Sequence, residues 1–202
     1  MKRISPFFFC LLLLFSCGKG RKEVSNPNPI IASAPSGSIF TDTSEKSATQ
    51  NSKGLEAQIP MSNDKLSDWI PQKVGEMEQR KLIIGHKQGM GMSGAIATYH
   101  GTEQDDKQIS FEVLDGAGAT GSVMLKSINQ KLNLDYNEKM SSGYSRIYDR
   151  EGIRVWEKLN TEEHLSEIEF VMDKRYHFIF KGHGIEMKEL WAFVRQVRIE
   201  MS

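Results

Sequence analysis

Four stretches hold residue types that could do chemistry. Gly116-Ala-Gly118-Ala-Thr-Gly121 has the spacing of a loop that admits a pyrophosphate to a helix N-terminus, with Asp135 and Glu138 downstream as ribose acids. The strand before it, however, alternates Phe111 and Val113 with Ser110 and Glu112, whereas a doubly wound parallel strand is apolar on both faces. The motif therefore reads as a strand-to-helix turn. His86, Met90 and Met92 in the loop 85–94 offer imidazole and thioether ligands of the kind that hold Cu(I), and methionine also serves as a core filler. Gly91-Met-Ser93-Gly94 lacks the last glycine of a nucleophile elbow, because Ala95 stands there. Five histidines accompany many carboxylates, but no spacing among His86, His100, His164, His177 and His183 singles out a triad. The sequence thus assigns no catalytic residue, no cofactor and no committed metal ligand.

The most specific chemistry is at the start of the chain. Met1-Lys2-Arg3 is a short positive region and Pro6 to Phe15 is almost wholly apolar, too short to span a bilayer comfortably. Leu14-Phe15-Ser16-Cys17 resembles the bacterial lipobox, with Phe15 standing where a smaller residue is commoner. The resemblance implies cleavage after residue 16, a diacylglyceryl thioether on Cys17 and acylation of its new amine. Gly18 is not the Asp that retains many lipoproteins at an inner membrane, so an envelope with two membranes would place this one at the outer membrane, facing the periplasm.

Removing residues 1–16 takes Lys2 and Arg3 from the 26 basic residues and leaves 24 against 26 acidic ones. That balance gives no footprint for nucleic acid and no polybasic run for anionic lipid, so the expected membrane partner is reached through the lipid. Cys10 and Cys17 are the only cysteines. Once the signal is cut and Cys17 acylated, disulfides, thiolate zinc sites and cysteine nucleophiles are excluded.

Residues 17–61 are rich in Ser, Thr, Asn, Pro and Lys and hold one aromatic residue, Phe40. They read as a lipidated cysteine followed by a disordered leash. The folded domain is expected over 62–202. Ser62 or Asn63 caps a helix that Pro71 ends, and another helix runs from Thr120 or Ser122 to Leu132. A last helix covers Glu186 to Arg198, with Met187, Leu190, Trp191, Val194 and Val197 on one stripe. Phe193 falls off that stripe and is expected on the outer face. Seven strands are expected between the helices, over 78–84, 95–100, 108–114, 144–148, 153–159, 165–172 and 175–181, with 133–142 read as a loop. The expected fold class is α+β: an antiparallel sheet of six to seven strands covered by helices and closed by the C-terminal amphipathic helix.

Trp69-Ile70-Pro71 at the domain's start, and the hairpin and glycine-flanked helix over 167–197, are similar to the PsbP, Mog1 and LpqN group and to small bacterial lipoproteins. The resemblance implies an accessory or binding protein and transfers no functional residue. Trp156, with Arg154 and Lys158 on its face, is either packed beneath a helix or an exposed contact for a partner. The leading expectation is a lipid-anchored envelope protein with a non-catalytic binding role toward an unknown protein or small molecule. The alternative is metal handling through loop 85–94.

Overall fold

The computed structural model describes residues 54–101 and 106–201, all of them within the compact unit Ile39–Ser202. The signal segment 1–16, Cys17 and most of the leash lie outside the described residues. The elements run in the order α1 (Asn63–Trp69), β1 (Lys73–Val74), β2 (Met77–Ile84), β3 (Ser93–His100), β4 (Gln108–Asp115), α2 (Gly118–Leu132), β5 (Asn137–Met140), β6 (Gly143–Arg150), β7 (Ile153–Asn160), β8 (Leu165–Met172), β9 (Tyr176–His183) and α3 (Met187–Glu200).

Nine strands form one antiparallel sheet in the order β1-β2-β3-β4-β9-β8-β7-β6-β5. The expected sheet of six to seven strands covered by helices is therefore wrong. The two extra strands are short edges. Lys73–Val74 pairs with Met77 and Glu78, and Asn137–Met140 pairs with Gly143 to Arg146. All four residues of β5 are exposed, so no hydrophobic alternation marks it, and hydrogen bonding to β6 is what holds it extended. The cover is partial as well. α3 packs along β8 and β9 and reaches β1, α1 packs on β2 and β3, and α2 packs on β7 from the other face.

Two meanders build the sheet, and α2 carries the chain from β4, which lies next to the central strand β9, to the far edge at β5. Two-residue turns join β1 to β2, β5 to β6 and β6 to β7, and a three-residue turn joins β8 to β9. Glu151-Gly152 of the β6–β7 turn both have positive φ, the geometry that matches strand twist in a two-residue hairpin, and Asp173 and Lys174 have positive φ in the β8–β9 turn.

The core lies on the face shared by Ala95, Ala97 and Tyr99, by Ile109, Phe111 and Val113, and by Ile168, Phe170, Phe178 and Phe180. Phe111 stacks on Phe180 at 4.6 Å, and Phe178 meets Phe111 edge-on at 5.3 Å. Each such ring removes on the order of 2–3 kcal/mol of apolar surface from water. α1 adds Leu66, and Ser62 caps it by accepting from the Lys65 amide. A capping box between Glu186 and Glu189 starts α3, which lays Leu190, Val194 and Val197 on the phenylalanines.

Phe193 is not on an outer face. It is 4 % exposed and packs edge-on against Tyr99 at 5.1 Å. The helix sits in a trough rather than on a flat sheet, because Tyr99 rises beside it with its hydroxyl bound to the Pro71 carbonyl. The buried arc of α3 thus spreads to Phe193 on one flank and Trp191 on the other.

Candidate functional site

β6 and β5 extend beyond the helical cover on the core face. Strand alternation sends Tyr144, Arg146, Tyr148 and Arg150 to that face, and Glu157 of β7 stands beside Arg146 in register. Tyr144, Arg146 and Tyr148 are half-buried, while the Glu157 carboxylate is 1 % exposed. A buried charge is tolerated only when it is paired and hydrogen-bonded. Here Oε1 accepts from the Tyr144 hydroxyl at 2.8 Å and from Arg146 Nη2 and Nε at 2.6 and 3.1 Å. Oε2 accepts from the Tyr148 hydroxyl at 2.8 Å and the Trp191 indole at 2.6 Å.

Burial pushes the Glu157 carboxyl up, but the bonds from Trp191, Arg146, Tyr144 and Tyr148 outweigh it and hold it below the ordinary carboxylate range. Burial, helped by the bond to Glu157, pushes the Tyr144 phenol up to about 12. Tyr148 is raised too, burial being the largest cause. The cluster therefore stays in one protonation state, a carboxylate under neutral phenols, across the neutral range.

The clamp fixes what lies above it. The Arg146 guanidinium is centred 4.7 Å from both the Tyr144 and Tyr148 rings, and Arg150 lies over the Trp191 ring at 4.1 Å. The result is a row of alternating rings and guanidinium groups on the sheet face beside α3, whose Trp191 reaches into it. Neither Glu157 nor Arg146 stood out in the sequence; the signal for Arg146 was the period-two run Tyr144-x-Arg146-x-Tyr148-x-Arg150.

Trp156 lies on the opposite sheet face. It is half-buried beneath Lys131 of α2, whose Nζ is 4.3 Å from the ring, and its indole donates to Ser145. Its neighbours are occupied. Arg154 donates to the carbonyls of Leu132, the last residue of α2, and of Leu134 just beyond it, and Lys158 pairs with Glu167. Beside them Glu169 accepts from Lys131 and meets His177 at 3.0 Å, which pins α2 to the sheet. Burial raises the Glu169 carboxyl, but His177 and Lys131 bring it below its ordinary value.

Loop 85–94 does not present its three soft ligands alike. Met92 is buried, Met90 is 55 % exposed, and His86 faces Glu112 at 3.5 Å. The glycines of 116–121 serve packing. A Cβ on Gly116 would stand 2.8 Å from the Arg175 carbonyl, and one on Gly121 2.8 Å from the Asp115 carbonyl. They let α2 leave an antiparallel strand, so the close approach is to protein backbone. Asp115, fully buried, accepts from Nε and Nη2 of Arg175 at 2.7 and 2.8 Å and from the amides of Met61 and Ala117. It fastens the segment leading into the domain.

His164 is exposed in the β7–β8 turn, and His183 is exposed at the end of β9. Two open clefts of about 500 and 520 Å³ flank α1 and α3, the first lined by Met61, Asp64, Met92 and Ser93, the second by Val74, Met77, Glu189 and Phe193. In the second, Glu189 is engaged by Lys107 at 3.0 Å. No protein-family model matches this chain, and neither a curated protein nor a solved structure matches it.

Proposed function

We propose that this chain is a lipid-anchored envelope protein, held at the membrane through Cys17, whose domain works without chemistry of its own as a binding or accessory module. Its contact surface is the core-face end of the sheet at Tyr144, Arg146 and Tyr148. The observation that carries this reading is the Glu157 clamp. Five donor groups spent on one buried carboxylate fix two rings and a guanidinium on a sheet face that the chain itself leaves half-exposed. A buried charge with this many partners adds little net stability over an apolar core, so its gain is in the geometry it imposes.

The chemistry of the other buried carboxylates supports a non-catalytic role. Asp115, Glu167 and Glu169 are each held by structural partners, and none of them lines either of the two clefts. An acid or base at work needs a proton path to a substrate site.

Two experiments test the reading. Labelled palmitate should enter the native chain and not a Cys17→Ser variant, and equal labelling would remove the anchor. A photo-crosslinking amino acid at Lys139, which pairs with Tyr144, should give a discrete adduct in the intact envelope, and one at Val123 on α2 should not. Adducts from Val123 alone would put the contact surface elsewhere.

A further inference from the structure

The last helix divides its charges. Taking about 100° per residue, Arg198, Arg195 and Lys188 lie within roughly 60° of Trp191 around α3, while Glu189 and Glu200 lie roughly 160–180° away. Trp191 points to Glu157 and carries Arg150 on its ring, so this basic flank is the one that faces β6. Arg198 confirms the side by reaching Glu151 in the β6–β7 turn at 3.6 Å. Glu189 lines the cleft on the other side, beside Val74 and Met77.

A valley results, with Arg146 and Arg150 along its strand wall and Lys188, Arg195 and Arg198 along its helix wall. Lys188 and Arg195 are exposed, and the Arg146 side chain is 44 % exposed. The acids at hand are Glu157, buried and saturated, and Glu151, paired with Arg198. Along the helix, Lys188 to Arg198 spans about 15 Å at 1.5 Å per residue.

We propose that this valley receives an acidic polypeptide segment of a partner protein, several Asp or Glu carboxylates laid along α3 and β6. This names the partner class for the contact surface proposed above and rests on that reading. The length and the two-walled arrangement suit a row of separate charges better than one compact anion. The donor inventory points to carboxylates. The hydroxyl protons of Tyr144 and Tyr148 are spent on Glu157, and the Tyr148 oxygen accepts from Arg150 at 3.5 Å, so the donors the valley offers are the cationic N–H groups. A carboxylate needs donors alone, and its bonds to charged donors are the strong ones. The rings between the cations add apolar contact for the methylenes of glutamate. A mature chain with 24 basic against 26 acidic residues has no broad positive field to gather a long polyanion, so attraction is confined to the valley.

The test uses the full lipidated chain in neutral detergent micelles and a fluorescent fifteen-residue polyglutamate peptide, read by anisotropy at low salt. Binding should saturate, weaken as salt shortens the screening length to about 8 Å, and fall at least about tenfold in Lys188→Glu/Arg195→Glu. The thermal midpoint should stay within experimental error, since both side chains are exposed. The control Lys65→Glu/Lys81→Glu, exposed elsewhere, should change affinity by less than about twofold. No saturable binding, or equal losses in both variants, would overturn the proposal. So would displacement of the peptide by an oligothymidylate, or by phosphatidylglycerol doped into the micelles, at lower charge concentration than unlabelled peptide needs. Adducts at Lys139 without peptide binding would sink the acidic class and leave the contact surface standing; absence of adducts there would sink both.

Discussion

Glu157→Gln is the substitution that reads the clamp most finely. Glutamine keeps the volume but replaces one acceptor oxygen by a donor. If its oxygen takes the Oε1 position, Tyr144 and Arg146 keep their acceptor, and the amide nitrogen stands where Oε2 received Tyr148 and Trp191. The Tyr148 hydroxyl can turn and accept. The indole cannot, and its N–H is left facing another donor in a site where Trp191 is 7 % exposed. A lost charge-assisted bond and a stranded buried donor together amount to about 3 kcal/mol.

Trp191→Phe alone should cost about 2 kcal/mol through the same bond. In the Glu157→Gln background it removes the stranded donor and should cost close to nothing. The coupling in the double-mutant cycle is then about 2 kcal/mol, well outside the additivity expected of independent sites. Loss of stacking under Arg150 occurs in both backgrounds and cancels. Urea melts with unchanged m-values supply the four stabilities. Coupling below about 0.5 kcal/mol would refute the account of Glu157 as the group that locks Trp191 to β6.

Three further outcomes follow. Phe193→Ala should cost about 3–5 kcal/mol, as much as Trp191→Ala, because both leave cavities under α3; a Phe193→Ala loss near 1 kcal/mol would return that residue to the outer face. Asp115→Ala should cost about 3–5 kcal/mol by stranding Arg175, and proteolysis should then cut at 58–61, where Met61 loses its anchor. Glu157 and Glu169 both have folded values below the ordinary 4.5, so their contribution is fully present above pH 4.5 and is lost as pH falls through their own lower values. Glu157→Gln/Glu169→Gln should therefore lose less stability than the native chain between pH 4.5 and 3, and parallel pH curves would contradict that sign.

Legibility in the sequence followed the strength of local patterning. Ser62 and Pro71 bound α1, and the stripe from Leu190 to Val197 marks α3, because capping chemistry and helical period are written in adjacent residues. β1 and β5 were not legible, since a two-residue segment and a run of four exposed residues become strands only by pairing with a neighbour. Phe193 misled because its burial depends on Tyr99, 94 positions earlier in the chain, rising beside the helix. The clamp was hidden for the same reason: its acceptor comes from β7, its donors from β6 and α3, and a lone glutamate between Trp156 and Lys158 looks like solvated charge. Trp156 and its basic neighbours drew notice as a linear cluster, yet their side chains are spent on α2, Ser145 and Glu167.

The central claim is that partners meet the Glu157 face. The chain has three tryptophans, Trp69, Trp156 and Trp191, and each reports on a different place. The Trp69 indole donates to the Met201 carbonyl, that of Trp156 to Ser145 on the opposite face, and that of Trp191 to Glu157 under the valley. A titration of the nitrogen-15 labelled chain with the polyglutamate peptide, followed by the three indole N–H signals, tests the claim directly. The account predicts that the Trp191 signal moves progressively to saturation while Trp69 and Trp156 stay in place. Movement of Trp156 with Trp191 stationary would contradict it.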